Sequence, residues 1–134
     1  MSAAEMAYAE VAEGVRAAIA AYAQAVDDGR TEDIVTTFCS DGVLVIPGSG
    51  VYEGHDALRE AYSGFKPRLP QRHVVVNIHV TDYQGQEAKA TSDLIVAQKS
   101  DSGWAITLVG RYHDTLHNRD GAWRFHQRTM EFVD

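Results

Sequence analysis

Asp27 and His73 are the residues whose types fit one chemistry best. A carboxylate that orients an imidazole makes the ring a general base, able to take a proton from carbon or oxygen. Forty-six residues separate the two, so only a fold could join them. Asp27 falls at the end of a helical stretch. There the helix dipole disfavours negative charge and makes a carboxylate more basic. The same residue also reads as a solvated turn aspartate in Asp27-Asp28-Gly29. His73 opens a run of Val74, Val75 and Val76, the signature of a buried strand. An enclosed imidazole there needs an anionic partner, and Asp27 is the candidate.

The elements that must position this pair follow from periodicity. Val11, Val15, Ile19, Tyr22 and Val26 recur at helical spacing, which predicts a helix from about Ala4 to Asp27 or Asp28 with Gly29 as its left-handed cap. Thr31 is expected to cap a second helix ending near Phe38, with Glu32 and Asp33 in its first turn. Asp41 to Gly50 reads as turn, short strand, turn, followed by a short strand Val51–Glu53. A third helix is predicted from about Asp56 to Phe65 and is stopped by Pro67 and Pro70. Beyond Pro70 the period changes to two. Strands are predicted over Gln71–Tyr83, Glu87–Lys99, Trp104–His117 and Ala122–Phe132, joined by turns rich in Gly, Asp, Asn and Ser. Four long strands joined by tight turns make an antiparallel meander. Helices first and strands last give an α+β layout with helices on one face of a curved sheet.

Composition narrows the function. With 134 residues, 45% of them apolar, the chain is expected to form one domain over 1–134 with a proper core. A net charge of −7 argues against nucleic acid or an acidic membrane as partner. The lone Cys39 excludes an intrachain disulfide and reads as a small buried hydrophobe. No apolar run approaches the roughly 20 residues needed to span a bilayer, and the first residues lack signal-peptide character, so a cytoplasmic protein is expected. The sequence contains no dinucleotide, P-loop or serine-elbow motif, and no cofactor is expected. His113 and His117 share a strand face but lie about 13 Å apart, and His126 would join them only through hairpin register, so no metal site is expected either.

Other side chains could line a pocket. His73, Val75, Asn77 and His79 alternate onto one strand face, where Asn77 could orient a substrate. Tyr112 and His113 point to opposite faces, so only one can line a cavity. Tyr22 lies on the apolar helix stripe and its hydroxyl needs a partner if buried. Phe38, Tyr52, Leu58 and Tyr62 are expected as apolar wall. Arg128 shares parity with Arg124 and His126, opposite Trp123 and Phe125. Strict alternation therefore puts it outside, and a β-bulge would bring it in.

The helix ending AYAQAVDDG, the strand opening RHVVVN and the closing hairpin GRYHDTLHNRDGAWRFHQR resemble the SnoaL-like branch of the nuclear transport factor 2-like superfamily over nearly the whole chain. The resemblance implies a cone-shaped barrel, a curved antiparallel sheet wrapped around three helices with a cavity open at one end. The superfamily includes scytalone dehydratase, ketosteroid isomerase, polyketide cyclases, bile-acid 7α-dehydratase and hexachlorocyclohexane dehydrochlorinase. The pattern of the last two falls on Asp27, His73 and Arg128, with Asn77 matching the dehydrochlorinase and Tyr22 the bile-acid enzyme. Tyr22 stands where the dehydrochlorinase pattern has lysine, which favours dehydration or isomerisation over dehalogenation.

The expected function is a cofactor-independent lyase or isomerase acting on a small apolar cyclic metabolite. His73 serves as base and Tyr22, Asn77 or Arg128 stabilises charge. The alternatives are a non-catalytic pocket for a hydrophobic metabolite, or a structural subunit like the small subunit of ring-hydroxylating dioxygenases. Apolar Ile95, Trp104 and Ile106 on the outer sheet face make a homo-oligomer, dimer or trimer, the expected partner state.

Overall fold

The computed structural model describes residues 3–134, with side chains described from residue 7 onward. The helix α1 (Ala3–Asp27) buries Val11, Val15, Ile19, Tyr22 and Val26 along one stripe. It ends in a Schellman motif. Gly29 takes φ 66, its N–H bonds the Val26 carbonyl, and the Arg30 N–H bonds the Ala25 carbonyl. Asp27 is thereby the last helical residue.

α2 (Thr31–Val35) follows at once. Thr31, expected as its cap, is instead its first helical residue. Arg30 occupies the cap position without a side-chain bond, because the Schellman turn delivers the chain one residue early. Phe38 likewise belongs to no helix and opens β1 (Phe38–Ile46), which also absorbs the expected turn at Asp41-Gly42. β2 (Gly50–Glu53) and α3 (Gly54–Gly64) come next. The meander then runs through β3 (Gln71–Gln84), β4 (Glu87–Ser100), β5 (Gly103–Arg119) and β6 (Ala122–Phe132). Asp120 (φ 57) and Gly121 (φ 80) form a two-residue turn with both φ angles positive, the geometry whose twist matches a hairpin.

The six strands form one curved, unclosed sheet in the order β2-β1-β6-β5-β4-β3. The meander is antiparallel throughout, but β1 pairs with β6 in parallel, a long-range choice that local pattern does not encode. α1 packs across β3, β4 and β6, and α3 packs on β1 and β2. Between helices and sheet lies a core that includes Ile19, Phe38, Leu58, Leu94, Leu116 and Phe125, all buried. Each buried phenylalanine removes about 150–250 Å² from water.

Among the register shifts in the sheet, two bulges set the site. In β3, Val76 pairs with Asp93 and His79 with Thr91, so Asn77 and Ile78 together face one residue of β4. Asn77 takes φ 52 there. Beyond this point the parity reverses, with Ile78 and Val80 facing in and Asn77 and His79 exposed. In β6, Leu116 pairs with Phe125 and Thr115 with Gln127, leaving His126 as the extra residue. Phe125 and Arg128 are consequently both buried, although three positions apart.

β1 bends where its pairing with β6 shifts, between Phe38 and Val43. A Cβ on Gly42 would lie 2.8 Å from the Phe125 carbonyl oxygen and 2.9 Å from that of Cys39. Both neighbours are backbone and cannot swing away. Gly42→Ala is expected to lower stability by about 1–3 kcal/mol, read by urea denaturation.

Candidate active site

The C-terminus of α1 and the start of the edge strand β3 build the first part of the site. Asp27 accepts the backbone N–H of His73 at 2.9 and 3.1 Å from its two oxygens. His73 Nδ1 lies 2.6 Å from Asp27 Oδ1. Gln71 Nε2 adds a bond at 3.3 Å, and its own Oε1 accepts Gln98 Nε2 at 3.3 Å. An ionised carboxylate only accepts, so Nδ1 carries the proton and Nε2 holds the lone pair. Nε2 makes no hydrogen bond to the described residues. The side chains are 6% (Asp27) and 13% (His73) exposed, a dyad at the rim of the core rather than on open surface. Asp28, by contrast, is exposed and pairs with Arg30. Gln71 is a partner that sequence reasoning missed. Its signal was parity, two residues before His73 on the same face.

The second part is central. The β6 bulge turns Arg128 inward, where Nε and Nη2 donate to Asp114 at 2.8 and 3.0 Å. The guanidinium carbon lies 3.5 Å from the Tyr112 ring centroid, 4.3 Å from that of Phe125 and 4.4 Å from that of Tyr22. Burial by itself lowers the pKa of this arginine, but the adjacent Asp114 and tyrosines outweigh it and the net direction is upward. The fork is bidentate and the aromatic faces are attractive to the cation, yet Nη1 is buried with no partner among the described residues. Asp114 was also missed. It shares the inward parity of Tyr112 and Leu116, and an acid on an apolar parity is the readable sign of a buried charge pair.

Tyr22 and Tyr62 share a 2.6 Å hydrogen bond between their hydroxyls, inside the core. Tyr62 thus contributes a polar atom as well as wall. Burial pushes the Tyr62 and Tyr112 hydroxyls well above the ordinary phenol range, so both stay neutral and able to donate. Phe38 and Leu58 are fully buried, and Tyr52 is half-buried with its hydroxyl on Ser49.

Two expected lining residues lie outside. His113 is exposed and pairs with Glu131 at 2.7 Å, because Tyr112 takes the inward parity. Asn77 donates to Asp93 at 2.8 Å on the outer face, because the β3 bulge reverses the alternation that would have placed it beside His73. His79 is turned outward with it. Asp27–His73–Gln71 and Tyr22–Tyr62–Arg128–Asp114 therefore form two groups, with no hydrogen bond between them among the described residues.

A helix-backed, curved sheet with these groups at its rim and centre is the nuclear transport factor 2-like, cystatin-like architecture. The SnoaL-like domain model matches residues 7–129, and the chain belongs to that family. No curated protein sequence matches it significantly. Among solved structures it is similar to a variant of Rv3472, a protein of unknown function from Mycobacterium tuberculosis, with TM-score 0.91, 25% identity, and 99% of this chain and 77% of that one covered. It is also similar in fold to a proposed scytalone dehydratase of Novosphingobium aromaticivorans (TM-score 0.80, 21% identity, 91% and 83% covered). The β subunit of a proposed aromatic-ring-hydroxylating dioxygenase from the same organism is another match (TM-score 0.82, 20% identity, 99% and 93% covered).

The buried ion pair generates a stability prediction. Arg128→Met leaves the Asp114 charge unpaired and is expected to cost about 3–5 kcal/mol, whereas adding Asp114→Leu should recover most of that loss. Thermal or urea denaturation of the single and double variants measures both.

Proposed function

We propose that this protein is a cofactor-independent lyase or isomerase of the dehydratase kind, with His73 as its general base. The observation that carries the reading is the 2.6 Å contact between His73 Nδ1 and Asp27 Oδ1, reinforced by the bonds from the His73 backbone to the same carboxylate. Ring and main chain are held by one acceptor, which fixes the tautomer and aims the Nε2 lone pair away from the helix. A small apolar cyclic metabolite bearing an acidic C–H next to a carbonyl, or a hydroxyl to be lost, is the matching substrate class. His73 Nε2 removes the proton, Asp27 stabilises the imidazolium, and the neutral tyrosine hydroxyls of the core stabilise the developing oxyanion or leaving oxygen.

A second reading has its own observation. Arg128 is fully buried, with two nitrogens on Asp114 and three rings around it. None of five surface clefts is lined by Asp27 or His73. A filled interior suits a structural subunit better than an enzyme or a metabolite carrier, since both of those need an open cavity. Its partner surface would be the outer sheet face, where Trp104 and Ile106 are 54% and 64% exposed. A second copy of the chain is the proposed occupant of that face.

Small cyclic ketones and alcohols in D₂O distinguish the two readings. The catalytic reading expects proton exchange or water loss that falls by about 10²–10⁴ in His73→Ala and by a comparable factor in Asp27→Asn, with the fold intact. Turnover unchanged in both variants would overturn His73 as the base, and turnover absent from the parent protein leaves the non-catalytic reading. For the assembly, Trp104→Glu with Ile106→Glu is expected to convert an oligomer into a monomer in light scattering, and an unchanged mass would refute that surface.

A further inference from the structure

The β6 bulge has a second effect on the opposite face of the sheet. It projects His126 outward beside His117 of β5, and the two imidazoles stack with centroids 4.1 Å apart and planes 11° from parallel. Cys39, the second residue of β1, completes the group. Its sulfur and one nitrogen from each histidine all lie within 4.8 Å of one another. These three residues come from three strands, and only the parallel β1–β6 pairing brings the cysteine in.

The surroundings carry the features of a ligand set. Cys39 is 2% exposed, and its thiol makes only a long 3.7 Å contact to the Arg124 carbonyl. His126 Nδ1 is buried without a hydrogen-bond partner among the described residues and lies 3.9 Å from an Asp41 carboxylate oxygen. His117 Nε2 is held by Glu87 at 2.9 Å, the outer-shell carboxylate contact that metal-binding histidines use to fix their tautomer. That leaves Nδ1 of His117 as the acceptor, and it already receives a cation, since Arg119 Nη2 donates to it at 3.0 Å while Nη1 donates to Asp41 at 2.9 Å. Arg119 is half-exposed, so its guanidinium can leave these two partners without leaving a buried charge behind. A cleft of about 350 Å³ lined by Cys39, Arg119 and Arg124 supplies an entry path.

We propose that Cys39, His117 and His126 form a binding site for a borderline-soft divalent metal such as Zn²⁺, with Asp41 as the fourth ligand once Arg119 swings away. One thiolate, two imidazoles and a carboxylate are the donors such a tetrahedral ion takes. Binding breaks the Cys39 S–H bond, releases its proton to solvent and forms the sulfur–metal bond in its place. The stacked rings must fan apart to converge on one ion, and His126, half-exposed on a bulge, has the freedom to do so. The site would staple β1, β5 and β6 where the β1–β6 register breaks. It is separate from the dyad. His73 aligns through Val96 with Leu108, nine residues along β5 from His117, or about 30 Å.

Titration of the purified, reduced protein with Co²⁺ tests this. One equivalent should give tetrahedral d–d bands and a thiolate-to-metal charge-transfer band that Zn²⁺ abolishes by displacement. Cys39→Ser should remove the charge-transfer band, and His126→Ala should weaken binding by at least as much as the about 10–100-fold expected for Glu87→Gln. Arg119→Gln, which removes the guanidinium, should tighten binding, and a merely surface-bound ion would not produce this gain. Circular dichroism of each metal-free variant establishes that it is folded. If Cys39→Ser does not fold, His126→Ala and Arg119→Gln carry the test. Absence of the charge-transfer band at saturating Co²⁺, or a band unchanged in Cys39→Ser and His126→Ala, would overturn the assignment.

Discussion

One extra residue in β6 controls the interior of this protein. Without His126 as a bulge, a period of two would force Phe125 and Arg128 to opposite faces. With it, the strand contributes a core aromatic and, three residues later, a buried cation. That cation then dictates its surroundings. A guanidinium cannot be left unpaired in an apolar core, so Asp114 is required directly across the strand pair. Tyr22, Tyr112 and Phe125 close around it and present their faces to the charge. The helix stripe, the sheet and the bulge are thus tied to one ion pair.

The dyad obeys a different constraint. Asp27 lies at the end of α1 because Gly29 stops the helix there by adopting a left-handed conformation. The carboxylate is presented where the helix carbonyls leave it no intrahelical partner, and β3 supplies donors from its main chain and from His73. The helix end and the edge strand lock together through one side chain. Positional precision of this kind is what general-base catalysis needs, and it also stabilises the fold, so the contact by itself serves either role.

Rim and centre differ in what they can exchange with the outside. The His73 side chain keeps 13% of its surface exposed, while Arg128, Tyr62 and Tyr112 are buried. A substrate meeting both groups must displace aromatic side chains or enter through a breathing motion of the helices.

Much of the architecture was legible in the residues themselves. The stripe Val11-Val15-Ile19-Tyr22, the Gly29 stop, the Asp120-Gly121 turn and the four period-two runs are local signals, and each produced the expected element. The inward side chains of β4, from Ala88 to Val96, follow strict alternation. What the sequence could not carry was register. A bulge shifts every later side chain to the other face, yet a strand with one looks like any other strand. Hence Asn77 and His79 read as inward and are outward, while Arg128, outward by strict alternation, is inward through the bulge that the sequence left open. The parallel pairing of β1 with β6 was equally silent, and with it the meeting of Cys39 with His117 and His126. Periodicity is a property of neighbouring residues and survives in the sequence. Register is decided by which strand lies alongside, and only the assembled sheet contains that information.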